Sequence, residues 1–252
     1  MKRVLALAIF MTGFLSTQSQ IFLPSIYLET TFNIQYDGDI ATAFTGLYKD
    51  SFYLITANHL FKKTDRNINF KIFSGKDWIK QSGKVYFYKD TMADIAVIVT
   101  HFTDNSKLYV NLEMDDSQNT PFGDTGFFIG FPYGFYTEGN SSINSGYPLP
   151  LVKKASFSGV VMIQGFKYDV YDGFNNPGFS GGPMMFKDYR ETVHNKWYLA
   201  GVVKGYYPQT NSVSGKIGKQ KATFKYKENS GIVAVTPSRY ITSIIKDHGL
   251  HP

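Results

Sequence analysis

Residues 175–185 read NNPGFSGGPMM. One serine, Ser180, stands among Gly178, Gly181 and Gly182, with Pro177 before it and an apolar run after it. Two readings fit these residues. A tight turn uses glycine where φ must be positive, and serine is a common polar member of such turns. A nucleophile that needs two backbone N–H groups aimed at one small volume also needs bare backbone around it. The stretch alone leaves both open, and the choice rests on what the rest of the chain supplies.

The 252 residues are 43% hydrophobic and 17% aromatic, enough for a large core and too apolar for a disordered chain. Abundant Gly, Tyr and Phe, with few segments of 3.6-residue period, point to β structure. Strands are expected at TAFTGLY (42–48), FYLITA (52–57), INFKIF (68–73), KVYFY (84–88) and IAVIV (95–99). A second set follows at GFFIGF (126–131), FSGVVMIQ (157–164), KYDVY (167–171), GPMMF (182–186), WYLAGVVK (197–204), ATFKY (222–226) and GIVAV (231–235). Short strands at this spacing indicate a sandwich or barrels. The weakly patterned 103–119 is read as a linker between halves 20–120 and 121–252. One helix is expected over 236–249, opened near Pro237 and closed by Gly249, with Tyr240, Ile241, Ile244 and Ile245 on one face.

The leader differs from the rest. Lys2 and Arg3 precede an apolar run from Val4 to Leu15, and small polar residues follow. This is the three-part pattern of a secretory signal, expected to span 1–19, and the run is shorter than the roughly 20 residues a spanning helix needs. No later segment is long enough to cross a bilayer, so no stable membrane anchor is expected after cleavage. The absence of cysteine leaves an exported protein to its core alone, which suits a bacterial periplasmic or extracellular protein. The formal charge of +6 is modest. Lysines gather in KIGKQKATFKYK (216–227), but the alternation T-F-K-Y-K reads as an exposed hairpin with lysines facing water, so nucleic acid is not an expected partner.

Serine acyl transfer requires a base beside the hydroxyl and a carboxylate orienting that base. The five histidines are His59, His101, His194, His248 and His251. His59 directly follows a strand-like run in LITANHLF, where small Thr56 and Ala57 leave room for a neighbouring loop. Asp94, in TMADIAVIV, stands at the mouth of a buried run. A carboxylate there needs a hydrogen-bonding partner, and an imidazole N–H would serve. Asp90 is the rival acid. No cluster of ligands suggests a metal, and no cofactor is expected.

Taken jointly, TANH, ADIAV and GFSGGP resemble the trypsin-like (chymotrypsin-fold) serine peptidases, whose order is His, Asp, Ser; GDTGFFIGFPYG (123–134) and GIVAVTPS before a terminal helix are similar to the bacterial, HtrA-like branch. The resemblance covers nearly all of the chain after the leader. It implies two six-stranded antiparallel β-barrels with a C-terminal helix, His59 and Asp94 on the first and Ser180 on the second. It further implies an endopeptidase acting on protein or peptide substrates without the PDZ module of HtrA enzymes. His59, Asp94 and Ser180 would be the catalytic triad, and the amides of Gly178 and Ser180 the oxyanion hole. Phe174, Lys204 and Tyr206 would border the substrate pocket. Three positions depart from the family: Phe179 replaces the aspartate of animal trypsins, Phe174 replaces a pocket carboxylate, and Lys204 replaces a small hydroxyl residue. A catalytically silent, protein-binding version of the fold is the alternative. The G-x-S-x-G of GFSGG also fits an α/β-hydrolase elbow, but the βα units that fold needs are absent from the pattern.

Overall fold

The computed structural model describes residues 22–61, 66–103, 108–112, 120–138, 146–187, 196–218 and 220–251. The expected leader 1–19, His194 and most of the expected linker lie outside these residues.

Two antiparallel rings follow one another along the chain. After a short helix α1 (Ile26–Glu29), the first ring comprises β1 (Thr31–Tyr36), β2 (Asp39–Tyr48), β3 (Ser51–Thr56), β4 (Asn67–Phe73), β5 (Trp78–Phe87) and β6 (Ala96–Val99). Their order is β1-β4-β5-β6-β3-β2, and β1 pairs with β2 to close it. A two-residue β7 (Val110–Asn111) adds to β2 in parallel, an element beyond the expected six. The second ring holds β8 (Thr125–Gly130), β9 (Leu151–Ile163), β10 (Phe166–Asp172), β11 (Pro183–Lys187), β12 (Trp197–Ile217) and β13 (Gln220–Pro237). It closes as β10-β13-β12-β11-β8-β9. Helix α2 (Arg239–Asp247) ends the fold.

Strand periodicity explains why some runs are apolar throughout. Leu54 on β3, and Ala96 and Ile98 on β6, face the interior of the first ring. Their neighbours Tyr53, Ile55 and Val97 face the seam between the rings, where they meet Ile129, Met185, Leu199 and Val202 of the second. A strand covered on both faces loses the polar half of its alternation. Helix α2 closes this seam with Ile241, Ile244 and Ile245, all fully buried. At about 1.5–3 kcal/mol for each buried aliphatic side chain, they are enough to seat a nine-residue helix that would not persist alone.

Beyond Pro208 and Asn229 the β12–β13 pair runs on to Ile217 and Gln220, well past the ring. Directly paired residues share a face, so Lys216, Lys221, Lys225 and Lys227 fall on one side of this ribbon and Val213, Phe224 and Tyr226 on the other. The lysines are exposed, as expected of the hairpin.

Candidate active site

His59 lies in a 3-10 turn, Asn58–Leu60, immediately after β3. Its backbone N–H donates to Asp94 Oδ1 at 2.8 Å, and its ring Nδ1 lies 2.9 Å from Asp94 Oδ2. A carboxylate only accepts, so Nδ1 carries the proton and Nε2 presents a lone pair. The Asp94 bond pushes the imidazole above the ordinary histidine range, while partial burial and the charge of Lys204 pull the other way. Asp94 is 7% exposed and follows the turn Thr91–Ala93 with φ 53°, in the left-handed region. Aspartate is one of the few residues that tolerate that conformation. Its carbonyl accepts from Asn58 N–H at 3.2 Å, tying the two segments together a second time. Asp90, the rival, instead caps the turn by accepting from Met92 N–H at 2.9 Å.

The Ser180 loop is stitched into the seam. Thr42 of β2 donates from its backbone N–H to Ser180 O at 3.0 Å and from its hydroxyl to Gly178 O at 2.6 Å. The same hydroxyl accepts from Phe131 N–H at 3.0 Å. Gly181 N–H donates to Val203 O and Val203 N–H to Gly182 O, fastening the loop to β12. Glycine is obligatory at two points. Gly178 has φ 104°, and a Cβ on it would lie 2.3 Å from Phe131 O; Gly181 has φ 87°, and its Cβ would lie 2.4 Å from Thr56 Oγ1 and 2.8 Å from Ala57 N. Small residues before His59 therefore do admit the serine loop. The amides of Phe179, Gly181 and Gly182 are spent on backbone carbonyls, whereas those of Gly178 and Ser180 make no such bond among the described residues. The Ser180 hydroxyl donates to Lys204 O at 3.0 Å rather than to the His59 ring.

Phe179 is fully buried and stacks edge-on against Phe128, so an aromatic contact occupies the place of a charged partner. Phe174 is 57% exposed, with Lys153 over its ring and bonded to its carbonyl. Lys204 and Tyr206 join His59, Asp94, Ile163 and Tyr168 around a cavity of about 350 Å³; Phe174 is not part of that lining. The remaining described histidines lie elsewhere: His101 borders a separate cavity on the first ring, His248 meets Phe87 O, and His251 packs on Tyr48. The described residues contain no cluster of metal ligands. Two contributors escape sequence reasoning, Thr42 and Tyr168. Each sits in ordinary strand alternation, and nothing local marks it.

Two closed β rings with a histidine–aspartate pair and a glycine-set serine at their seam belong to the serine endopeptidases. The chain is a member of the trypsin-like peptidase family: the profile of the Trypsin-like peptidase domain matches residues 41–191. Among solved structures it is similar to the inactive form of the Rv3671c protease, with TM-score 0.55, 15% identity, and coverage of 89% of this chain and 91% of that one. A serine-to-alanine mutant of Rv3671c from M. tuberculosis H37Rv gives TM-score 0.52 and 14% identity, covering 90% of this chain and 89% of that one. A variant of the HtrA-type protease AlgW with a tripeptide gives TM-score 0.54 and 18% identity, covering 88% of this chain but 62% of that one. At these identities the structures establish the fold. No curated protein matches the sequence.

Proposed function

We propose that this endopeptidase hydrolyses peptide bonds through His59, Asp94 and Ser180 by way of an acyl-enzyme. One observation carries the reading. An imidazole held at Nδ1 by a buried carboxylate stands at the same seam as a loop whose uncommitted amides, between Gly178 and Gly182, are those of Gly178 and Ser180. The Ser180 hydroxyl leaves the Lys204 carbonyl, gives its proton to His59 Nε2, and its oxygen bonds to the substrate carbonyl carbon. The carbonyl oxygen becomes an oxyanion received by the amides of Gly178 and Ser180. Collapse breaks the C–N bond, and His59 returns the proton to the leaving amine. Water then repeats the sequence on the ester, releasing the acid and restoring Ser180. Asp94 holds the tautomer and stabilises the imidazolium throughout.

The cavity beside His59 supplies the selectivity. Ile163 and Tyr206 give it apolar walls, so it takes an apolar side chain rather than Lys or Arg. The residues of the leader support export, and the mature N-terminus of secreted protein, read by intact mass, tests that.

A second reading has its own support. The serine hydroxyl rests on a carbonyl and not on the base, as in a silent binding module. A fluorophosphonate probe separates the two: the enzyme is modified at Ser180, and His59→Ala abolishes the signal. Folded protein that neither labels nor cleaves a peptide library above its Ser180→Ala control is the binding module.

A further inference from the structure

We propose that Lys204, Tyr168 and Thr236 form a positioning cluster by which the second ring holds the Asp94 turn of the first. The inference rests on the catalytic reading above and extends it to side chains that bond the turn carrying Asp94 rather than the reacting atoms.

The turn's carbonyls show why it needs outside help. Within Asp90–Asp94, Ala93 N–H donates to Asp90 O and Asp94 N–H to Thr91 O. That leaves the carbonyls of Met92 and Ala93, the orphan acceptors at the end of any short helical turn. Both are taken by side chains from the opposite ring. Tyr168 on β10 donates its hydroxyl to Met92 O, Lys204 on β12 donates Nζ to the same oxygen at 3.2 Å, and Thr236 on β13 donates to Ala93 O at 2.5 Å. Lys204 Nζ also donates to the Tyr168 hydroxyl at 2.6 Å, closing a three-membered ring of hydrogen bonds, and sits 4.4 Å from the Tyr168 ring centroid. Three strands thus converge on two consecutive carbonyls directly ahead of a carboxylate in a left-handed conformation.

The Tyr168 phenol keeps its proton through neutral pH. Burial, then the charges of Asp94 and Asp90 and the nearby Tyr240, push the Tyr168 phenol up to about 12, so it remains a donor. Burial pulls the Lys204 ammonium down, and Asp94 and Asp90 push it back up. Around His59 itself the charged groups are Asp94 on the turn, Lys204 on β12 and Asp39 on β2. Lys204 therefore contributes at both ends: its carbonyl receives the resting Ser180 hydroxyl, and its ammonium holds the turn that carries Asp94.

The test uses full-length Tyr168→Phe, Thr236→Val and Lys204→Met. Tyr168→Phe and Thr236→Val leave the formal charge around His59 unchanged and loosen the turn. The expected result is a fall in kcat of about tenfold to a hundredfold, the range a small misplacement costs, with KM little changed. The His59 ring, followed by NMR, should titrate at lower pH than in the wild type, because the Asp94 bond that raises it is weakened. Lys204→Met should lose kcat in the same range. Should Lys204→Met fail to fold, Tyr168→Phe, which deletes one oxygen, decides the matter. Lower melting temperatures with unmoved kcat and unmoved His59 titration would overturn the proposal, since a merely structural contact gives that result. If the wild type proves inactive, the catalytic reading fails, and the His59 titration in Tyr168→Phe still judges the cluster.

Discussion

Asp94→Asn is the most informative single change, because the two oxygens of Asp94 have different jobs. Oδ1 accepts the backbone N–H of His59 at 2.8 Å, and that donor cannot be reversed. An asparagine in this place must keep its one oxygen there. Its amide nitrogen then takes the position of Oδ2, 2.9 Å from Nδ1, and presents a proton. Nδ1 becomes the acceptor, so the imidazole proton moves to Nε2 and no lone pair faces the serine. The side chains are nearly isosteric, so the fold and substrate cleft persist while the base is removed by tautomer. Where a Ser-His-Asp triad suffers this substitution through the wrong tautomer, kcat falls by about 10⁴, and the geometry here calls for a loss of the same order, about 5.5 kcal/mol of transition-state stabilisation. Steady-state kinetics on a fluorogenic peptide measures it, with Ser180→Ala as the floor and near-ultraviolet circular dichroism as the check on folding. A folded Asp94→Asn enzyme within tenfold of wild type would refute the assignment of Asp94 as the orienting acid.

Other consequences can be measured alongside. The general base must be unprotonated, and Asp94 raises His59 above its ordinary value of 6.5, so the acid limb of the kcat/KM–pH profile lies to the alkaline side of that value; a limb below it contradicts the pairing. Gly178→Ala places a Cβ 2.3 Å from Phe131 O at φ 104°, forcing the loop to shift. The loss of one aligned oxyanion donor should lower kcat by about 10²–10³, read with the same peptide. Thr42→Val removes a hydroxyl that serves both Gly178 O and Phe131 N–H in a fully buried position. It leaves two backbone groups unpaired at about 1–3 kcal/mol each, seen as a lower denaturation midpoint accompanied by slower turnover.

Much of this is legible because chemistry constrains local sequence. Bare backbone around Ser180, small residues before His59 and an acid at a buried strand mouth are each dictated within a few positions. Each expected strand falls on an observed one and overruns it by at most one residue at an end, but β2, β5, β9 and β12 begin earlier or run on later than expected, and ATFKY and GIVAV are parts of the single strand β13. The omissions have physical causes. β1 does not stand out because Thr31 and Asn33, polar yet buried, break its apolar alternation. The early part of β9 is hidden because Lys153 and Lys154 interrupt its apolar pattern, although both extend a paired strand. The ribbon's full length is obscured by Pro208 and Gly215, residues that ordinarily end strands. Neither Thr42 nor Tyr168 is legible, because their roles depend on partners 136 and 76 positions away.

Those distant partners reveal how the site is braced. The loop carrying Ser180 belongs to the second ring, yet its carbonyls at Gly178 and Ser180 are held by Thr42 of the first. The turn carrying Asp94 belongs to the first ring, yet its carbonyls at Met92 and Ala93 are held by Tyr168, Lys204 and Thr236 of the second. Each ring therefore holds the other's segment of the proposed triad, across a seam otherwise filled with apolar side chains. Apolar packing is non-directional and tolerates small sliding, whereas hydrogen bonds lose strength steeply with angle and distance. The directional contacts are concentrated on the segments that carry Ser180 and Asp94. A sliding of the rings that left the seam buried would strain both sets of bonds at once, so the register of the Ser180 loop to the Asp94 turn and its partner His59 is set by this reciprocal bracing rather than by either ring alone.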